Sequence, residues 1–175
     1  AILTDVVKGN EAKKLALRML RDSTATEATI YFKYYVNMAL RKAGLGNLYL
    51  QQLQIWKDNL RYNLSTWAEV SDIPHTRSDC HAWGASPNIE FYRTVLGIDS
   101  DKPGFKSIKI EPNLGDLKNA KGEMPHPNGK IKAMYKHANG YWQVNINLPK
   151  TTSGYLKWKG TNRLLKAGDN SFKIK

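Results

Sequence analysis

The chain has 175 residues, enough for one compact domain or two small ones, and 41% of them are hydrophobic, which excludes a disordered chain. No apolar run approaches the roughly 20 residues of a membrane-spanning helix, so no membrane partner is expected. The formal charge of +12 points first to an anionic partner such as nucleic acid, yet residues 1–97 carry only +3 of it. The rest is scattered as lysines such as Lys106, Lys109, Lys130, Lys132, Lys157 and Lys159, which alternate with apolar residues as on solvated strand faces. With no arginine-rich tract or helix-turn-helix pattern, no nucleic-acid partner is expected. The single cysteine, Cys80, excludes an internal disulfide and a thiolate-only metal site and leaves the compartment open. The opening Ala1–Asp5 lacks the basic and apolar regions of a signal peptide, and the start without Met predicts a piece of a longer polypeptide.

The first half has helical period. Leu15, Leu17, Met19 and Leu20 fill one face of a helix over Glu11–Leu20, with Lys13, Lys14 and Arg18 opposite. Thr26–Ala43 follows, ended by Gly44-Leu45-Gly46. A third helix runs from Asn47 to about Tyr62, with Leu50, Leu53, Trp56 and Leu60 at three- and four-residue spacing. A fourth spans about Ala85–Leu96 and stops at Gly97. Tyr31, Phe32, Tyr34 and Tyr35 point around most of their helix, so either a partner chain or further helices upstream must cover them, and upstream helices are the expectation.

After Asp99–Gly104 the period becomes two. Phe105–Ile110, Lys130–Tyr135, Tyr141–Leu148, Tyr155–Trp158 and Ser171–Ile174 alternate, separated by turn signals such as Pro127-Asn128-Gly129 and Ala138-Asn139-Gly140. The expected fold class is α+β in two parts, with helices over residues 1–98 and an antiparallel β-sandwich over 99–175. Trp142 and Trp158 read as sandwich core, and His126 and His137 as turn and surface residues.

Between the third and fourth helices lies a non-periodic stretch that holds Trp67, Glu69, Asp72, His75, Arg77, Asp79, His81 and Trp83. Loops on a rigid scaffold are where such groups collect. Aromatic planes stack on the C–H face of a pyranose while Glu, Asp, His and Arg bond hydroxyls, and Glu69 and Asp79 are candidate acid/base carboxylates. On composition alone Glu69 reads first as a helix-terminal surface carboxylate, His81 equally as a loop histidine or a ligand, and Asp79 as a cap or an Arg77 partner. His75, Cys80 and His81 lack the second ligand pair of a zinc site.

The run Leu64–Glu69 followed by Thr76–Trp83 resembles the end of the catalytic domain in the α-L-rhamnosidases of glycoside hydrolase family 78. Tyr31–Tyr35, Lys42–Gly46, Val95–Ile98 and Pro103–Phe105 are similar to neighbouring landmarks of that family in the same order. The resemblance implies the terminal helices of an (α/α)6 barrel followed by the β-sandwich, an inverting mechanism, a rhamnose-containing substrate, no cofactor, and a periplasmic or extracellular setting. It implies Glu69 as general base, His81 as a contact to the rhamnose hydroxyls, and Trp67 and Trp83 beside them, either of which could face the sugar. No residue here matches the family's general acid, so the acid is expected in the missing N-terminal part of the polypeptide and this chain alone is expected to be inactive. The rival readings are a non-catalytic carbohydrate-binding or interaction module and a lysine-rich surface for acidic polymers.

Overall fold

A computed structural model describes residues 1–175, and the fold is α+β. The chain divides into two compact units, Ala1–Ile89 and Glu90–Lys175, with the division inside the last helical stretch. No helix is long and apolar enough to cross a membrane.

In the first unit, α1 (Gly9–Arg21) and α2 (Ile30–Lys42) enclose a small core of Ile2, Ala12, Ala16, Leu40, Ala43 and Leu45. The buried stripe of α1 is Ala12 and Ala16 flanked by Leu15, Leu17 and Leu20, whereas Met19, expected on that stripe, is exposed. Small residues at i and i+4 let the two helices approach closely. The end of α2 is a Schellman turn: Gly44 takes φ +74°, its N–H bonds Arg41 O, and the Leu45 N–H bonds Leu40 O. The expected third helix splits into a 3-10 segment, Gly46–Gln52, and α3, Gln54–Arg61. On α2, Tyr31, Phe32 and Tyr35 are exposed and pack on one another, Tyr31 edge to face with both and Phe32 at a tilt to Tyr35.

The last helical stretch winds through a 3-10 turn (Ala82–Ala85), α4 (Ser86–Glu90) and a π turn (Phe91–Val95). Eight strands follow: β1 Ile98–Ser100, β2 Ile108–Ile110, β3 Asn119–His126, β4 Gly129–Ala138, β5 Tyr141–Leu148, β6 Gly154–Trp158, β7 Thr161–Leu165 and β8 Gly168–Ile174. They form two sheets, one ordered β1-β2-β6-β7 and the other β3-β4-β5-β8. Every pairing is antiparallel except β2 with β6, which is parallel and makes the first sheet mixed.

Period-two burial sets the inner faces of the sandwich. Ile131, Ala133 and Tyr135 of β4 and Val144, Ile146 and Leu148 of β5 are buried, as are Ile108, Ile110 and Leu156 of the mixed sheet. Each Val, Leu or Ile among them contributes roughly 1.5–3 kcal/mol of transfer free energy when fully buried. Trp158 of β6 packs edge-on against Tyr135 at 5.5 Å and Trp142 at 4.9 Å; Trp142 is buried core, as its alternating strand predicts, whereas Trp158 is half-buried. The buried Tyr135 hydroxyl donates to Leu96 O at 2.8 Å. Gly97 links the π turn to β1 at φ +74°, where a Cβ would fall 2.2 Å from the Glu111 carbonyl carbon. At the parallel pair Gly154 is equally confined, since a Cβ would meet Ile108 O at 2.1 Å.

Candidate functional site

The segment between α3 and the Ala82–Ala85 turn is pinned at both ends of Glu69. Asn59 of α3 is fully buried; its amide donates to Ile55 O at 2.8 Å, and its carbonyl oxygen accepts the Ala68 N–H at 2.8 Å. Trp56, one turn before, donates its indole N–H to Gly84 O at 2.6 Å. Across the loop, the Glu69 N–H bonds Ser78 O and the His81 N–H bonds Trp67 O, both at 2.9 Å. The Thr66 hydroxyl donates to Asp79 O. These bonds make residues 66–69 and 78–81 a short ladder without regular strand residues, and they aim the side chains of Glu69 and His81 at one another.

Glu69 is 6% exposed, so it is not the surface carboxylate that composition alone suggests. A buried carboxylate must be paired. Arg77 provides the pairing with both arms: Nε donates to Oε2 at 3.1 Å and Nη2 donates to Oε1. The Arg77 side chain itself is 84% exposed, so the guanidinium lies over the mouth of the site with the carboxylate beneath it. His81 Nε2 stands 3.8 Å from Glu69 Oε1. The hydrogen bonds from Arg77 hold the Glu69 carboxyl below the usual range; burial opposes this, and the charges of Arg77 and His81 assist it. The site therefore presents an ionised carboxylate at neutral pH.

Trp83 donates its indole N–H to Glu69 O at 3.0 Å, packs at a tilt against His81 at 4.6 Å and Tyr31 at 5.5 Å, and remains 43% exposed. Trp67 is half-buried, and its Cβ lies where a side chain on Gly84 would fall, 2.6 Å away. Glu69, His81 and Trp83 thus form one cluster, whereas Trp67 joins it through its backbone carbonyl. His81 Nδ1 is buried without a hydrogen-bond partner, which leaves the Nε2 edge, turned toward Glu69, as the ring's hydrogen-bonding edge.

Two expectations are corrected. Asp79 neither caps the following helix nor pairs with Arg77: the turn begins after His81 with no side-chain cap, and Arg77 is taken by Glu69. The sequence reading also missed the Arg77–Glu69 pair and the supports Asn59 and Ser78. Eight residues separate Arg77 from Glu69 in a stretch with no period, so no spacing rule joins them. Elsewhere, His75 pairs with Asp72 at 2.9 Å, and His126 bonds Phe105 O and the Asn128 N–H, which makes it a turn residue. Cys80 is exposed.

Residues 97–172 match the family model described as the bacterial alpha-L-rhamnosidase C-terminal domain. A curated Alpha-L-rhamnosidase of Alteromonas sp. (strain LOR) is 29% identical over 105 residues, 48% of this chain and 11% of that protein. The solved alfa-L-rhamnosidase of Aspergillus terreus superposes over 95% of this chain and 21% of its own length with TM-score 0.80 at 18% identity. The GH78 family rhamnosidase of Bacillus sp. GL1 does so over 75% of this chain and 15% of its own with TM-score 0.69 at 26% identity. The chain thus spans about a tenth of the curated relative and about a fifth and a seventh of these two structures.

Proposed function

We propose, from the match of residues 97–172 to the bacterial α-L-rhamnosidase C-terminal domain model, that this chain is the C-terminal part of a longer glycoside hydrolase. That enzyme removes terminal α-L-rhamnose with inversion, and Glu69 is its general base. Residues 1–98 are the closing helices of an (α/α)6 barrel, and residues 99–175 are the sandwich that follows it. The observation that carries the reading is the Glu69 carboxylate: buried, kept ionised by Arg77, and set beside a histidine edge and an exposed indole.

An inverting hydrolysis requires a base that takes a proton from water as the water oxygen bonds to the anomeric carbon. The glycosidic C–O bond breaks, its electron pair stays on the leaving oxygen, and a general acid protonates that oxygen. Glu69 is suited to the first proton. Each carboxylate oxygen has two lone-pair sites, so the bonds from Arg77 leave room for a water. His81 Nε2 is positioned to bond a sugar hydroxyl, and Trp83 to stack on the ring face. Trp67 belongs to the wall behind them and shapes the site through the carbonyl that fixes His81. The general acid comes from outside these residues, about 6.5–9.5 Å from the base in such enzymes. The chain alone is therefore inactive.

The test uses the intact parent polypeptide with an aryl α-L-rhamnoside. Glu69→Gln should lower kcat by about 10²–10⁴-fold with rhamnoside binding retained, and the first product of the unaltered enzyme should be the β-anomer by NMR. Near-normal turnover in that variant removes Glu69 from the mechanism.

A further inference from the structure

Away from Glu69, the outward face of the sheet β3-β4-β5-β8 is hollowed by a depression of about 640 Å³ that draws on all four strands. Strand register arranges its side chains in two adjacent rows. One row runs Lys121, Met134, Asn145 and Ser171, and the next runs Glu123, Lys132, Asn147 and Asp169. With strands about 4.8 Å apart and rows about 6.8 Å apart, the rows span about 14 Å, long enough for a short run of linked sugar rings.

Three properties of this floor narrow what it can hold. First, it is of mixed sign: Lys121 and Lys132 stand beside Glu123 and Asp169, and Lys130 at the rim is held by Glu123. An anionic polymer would meet two carboxylates, and an apolar partner would have to desolvate amides and carboxylates. Second, the polar groups are already fixed. Ser171 donates to Asn145 Oδ1 at 2.8 Å, Asn147 Nδ2 donates to Asp169 Oδ1 at 2.7 Å, and Lys130 and Lys132 hold Glu123 at 2.9 and 3.1 Å. Such pre-organisation lowers the ordering cost of binding. Third, these bonds leave Asn145 Nδ2 as donor and Asn147 Oδ1 and Asp169 Oδ2 as acceptors. Alternating donors and acceptors suit vicinal hydroxyls, each of which both gives and accepts a hydrogen bond. Met134, 39% exposed, and the lysine stems supply apolar surface for the C–H faces between them.

We propose that this concave sheet face is a second carbohydrate site, one that binds a neutral oligosaccharide chain and performs no chemistry. It does not depend on the role assigned to Glu69.

The test is calorimetry and affinity electrophoresis of the 175-residue chain with neutral galactan and neutral rhamnan oligosaccharides, and with polygalacturonate as the anionic probe. Binding to a neutral probe should weaken about tenfold or more in Asn145→Ala/Asn147→Ala, the loss of one or two ligand hydrogen bonds. Met134→Glu, which adds a charge to the open face, carries the same expectation. Near-UV circular dichroism from Trp142 and Trp158 on the opposite face checks that each variant is folded. The proposal is overturned by no binding to either neutral probe, by salt-sensitive binding to polygalacturonate alone, or by binding that these variants leave intact.

Discussion

Arg77 grips both oxygens of the Glu69 carboxylate while its own side chain stays almost wholly in solvent. The pair is asymmetric: the anion is buried and aimed, and the cation is free to be exchanged or displaced. Removing Arg77 therefore acts on the electrostatics of Glu69 more than on packing. In the intact enzyme, Arg77→Met should raise the Glu69 pKa, since the guanidinium is the largest cause that lowers it, and so move the acidic limb of the pH–rate profile to higher pH. A loss of about 10- to 100-fold in kcat/KM accompanies the lost aim. Arg77→Lys should restore part of the limb position but not the two-pronged geometry. An acidic limb that stays in place in Arg77→Met would show that Glu69 is not the group titrating there.

The same pair links stability to acidity. Glu69 has a depressed pKa in the folded chain and the ordinary value of about 4.3 when unfolded. Its contribution is thus complete above about pH 4.3 and is lost as pH falls through the lower, folded pKa. Thermal unfolding between pH 7 and pH 3 should show a drop in Tm below pH 4.5 that is shallower in Glu69→Gln than in the unaltered chain.

Asn59→Ala strips the Ala68 N–H of its partner inside the first unit. A buried donor without a partner costs about 1–3 kcal/mol. Because Ala68 precedes Glu69, the loss should appear both as a lower denaturation midpoint and as reduced kcat in the intact enzyme with KM less affected. Asn59→Asp keeps the acceptor oxygen but turns a second oxygen against Ile55 O in a fully buried place, so it should rescue neither stability nor activity.

Gly97→Ala places a methyl group 2.2 Å from a backbone carbon at a positive φ, so two penalties act together. A loss of about 2–4 kcal/mol or failure to fold is expected from overpacking and strain at such a position. Gly140→Ala has φ +76° but open space around it, and should cost about 1 kcal/mol. Denaturant midpoints of the two variants separate the steric share from the conformational one.

How far the fold could be read from sequence follows from which residues carry the burial. The strand Tyr141–Leu148 was predicted to the residue because Trp142, Val144, Ile146 and Leu148 all face the core and alternate with polar residues. Asn119–His126 and Thr161–Leu165 were not seen as strands. They lie at sheet edges, their residues are mostly exposed or half-exposed, and Gly122 and Pro125 interrupt the pattern of the former. Ile98–Ser100 has three residues, too few for any period. In the site, the residue types of Glu69, His81 and Trp83 were legible, as was their density. Their mutual placement was not, because it depends on Asn59 reaching from α3 and on carbonyls of Trp67 and Ser78, groups whose identity leaves no trace in sequence.

The one parallel pairing, β2 with β6, joins Ile108 to Gly154 across the entire β3-β4-β5 meander. Hairpins close locally and fast, whereas a pairing of such separation must first meet the entropy of the loop it encloses. The meander shortens that loop once it is formed, by turning a flexible excursion into a rigid one whose ends already lie near each other. The topology therefore predicts that the β3-β4-β5 meander forms before β2 meets β6, and that β8, which follows β6 and β7 in the chain, joins that sheet only later.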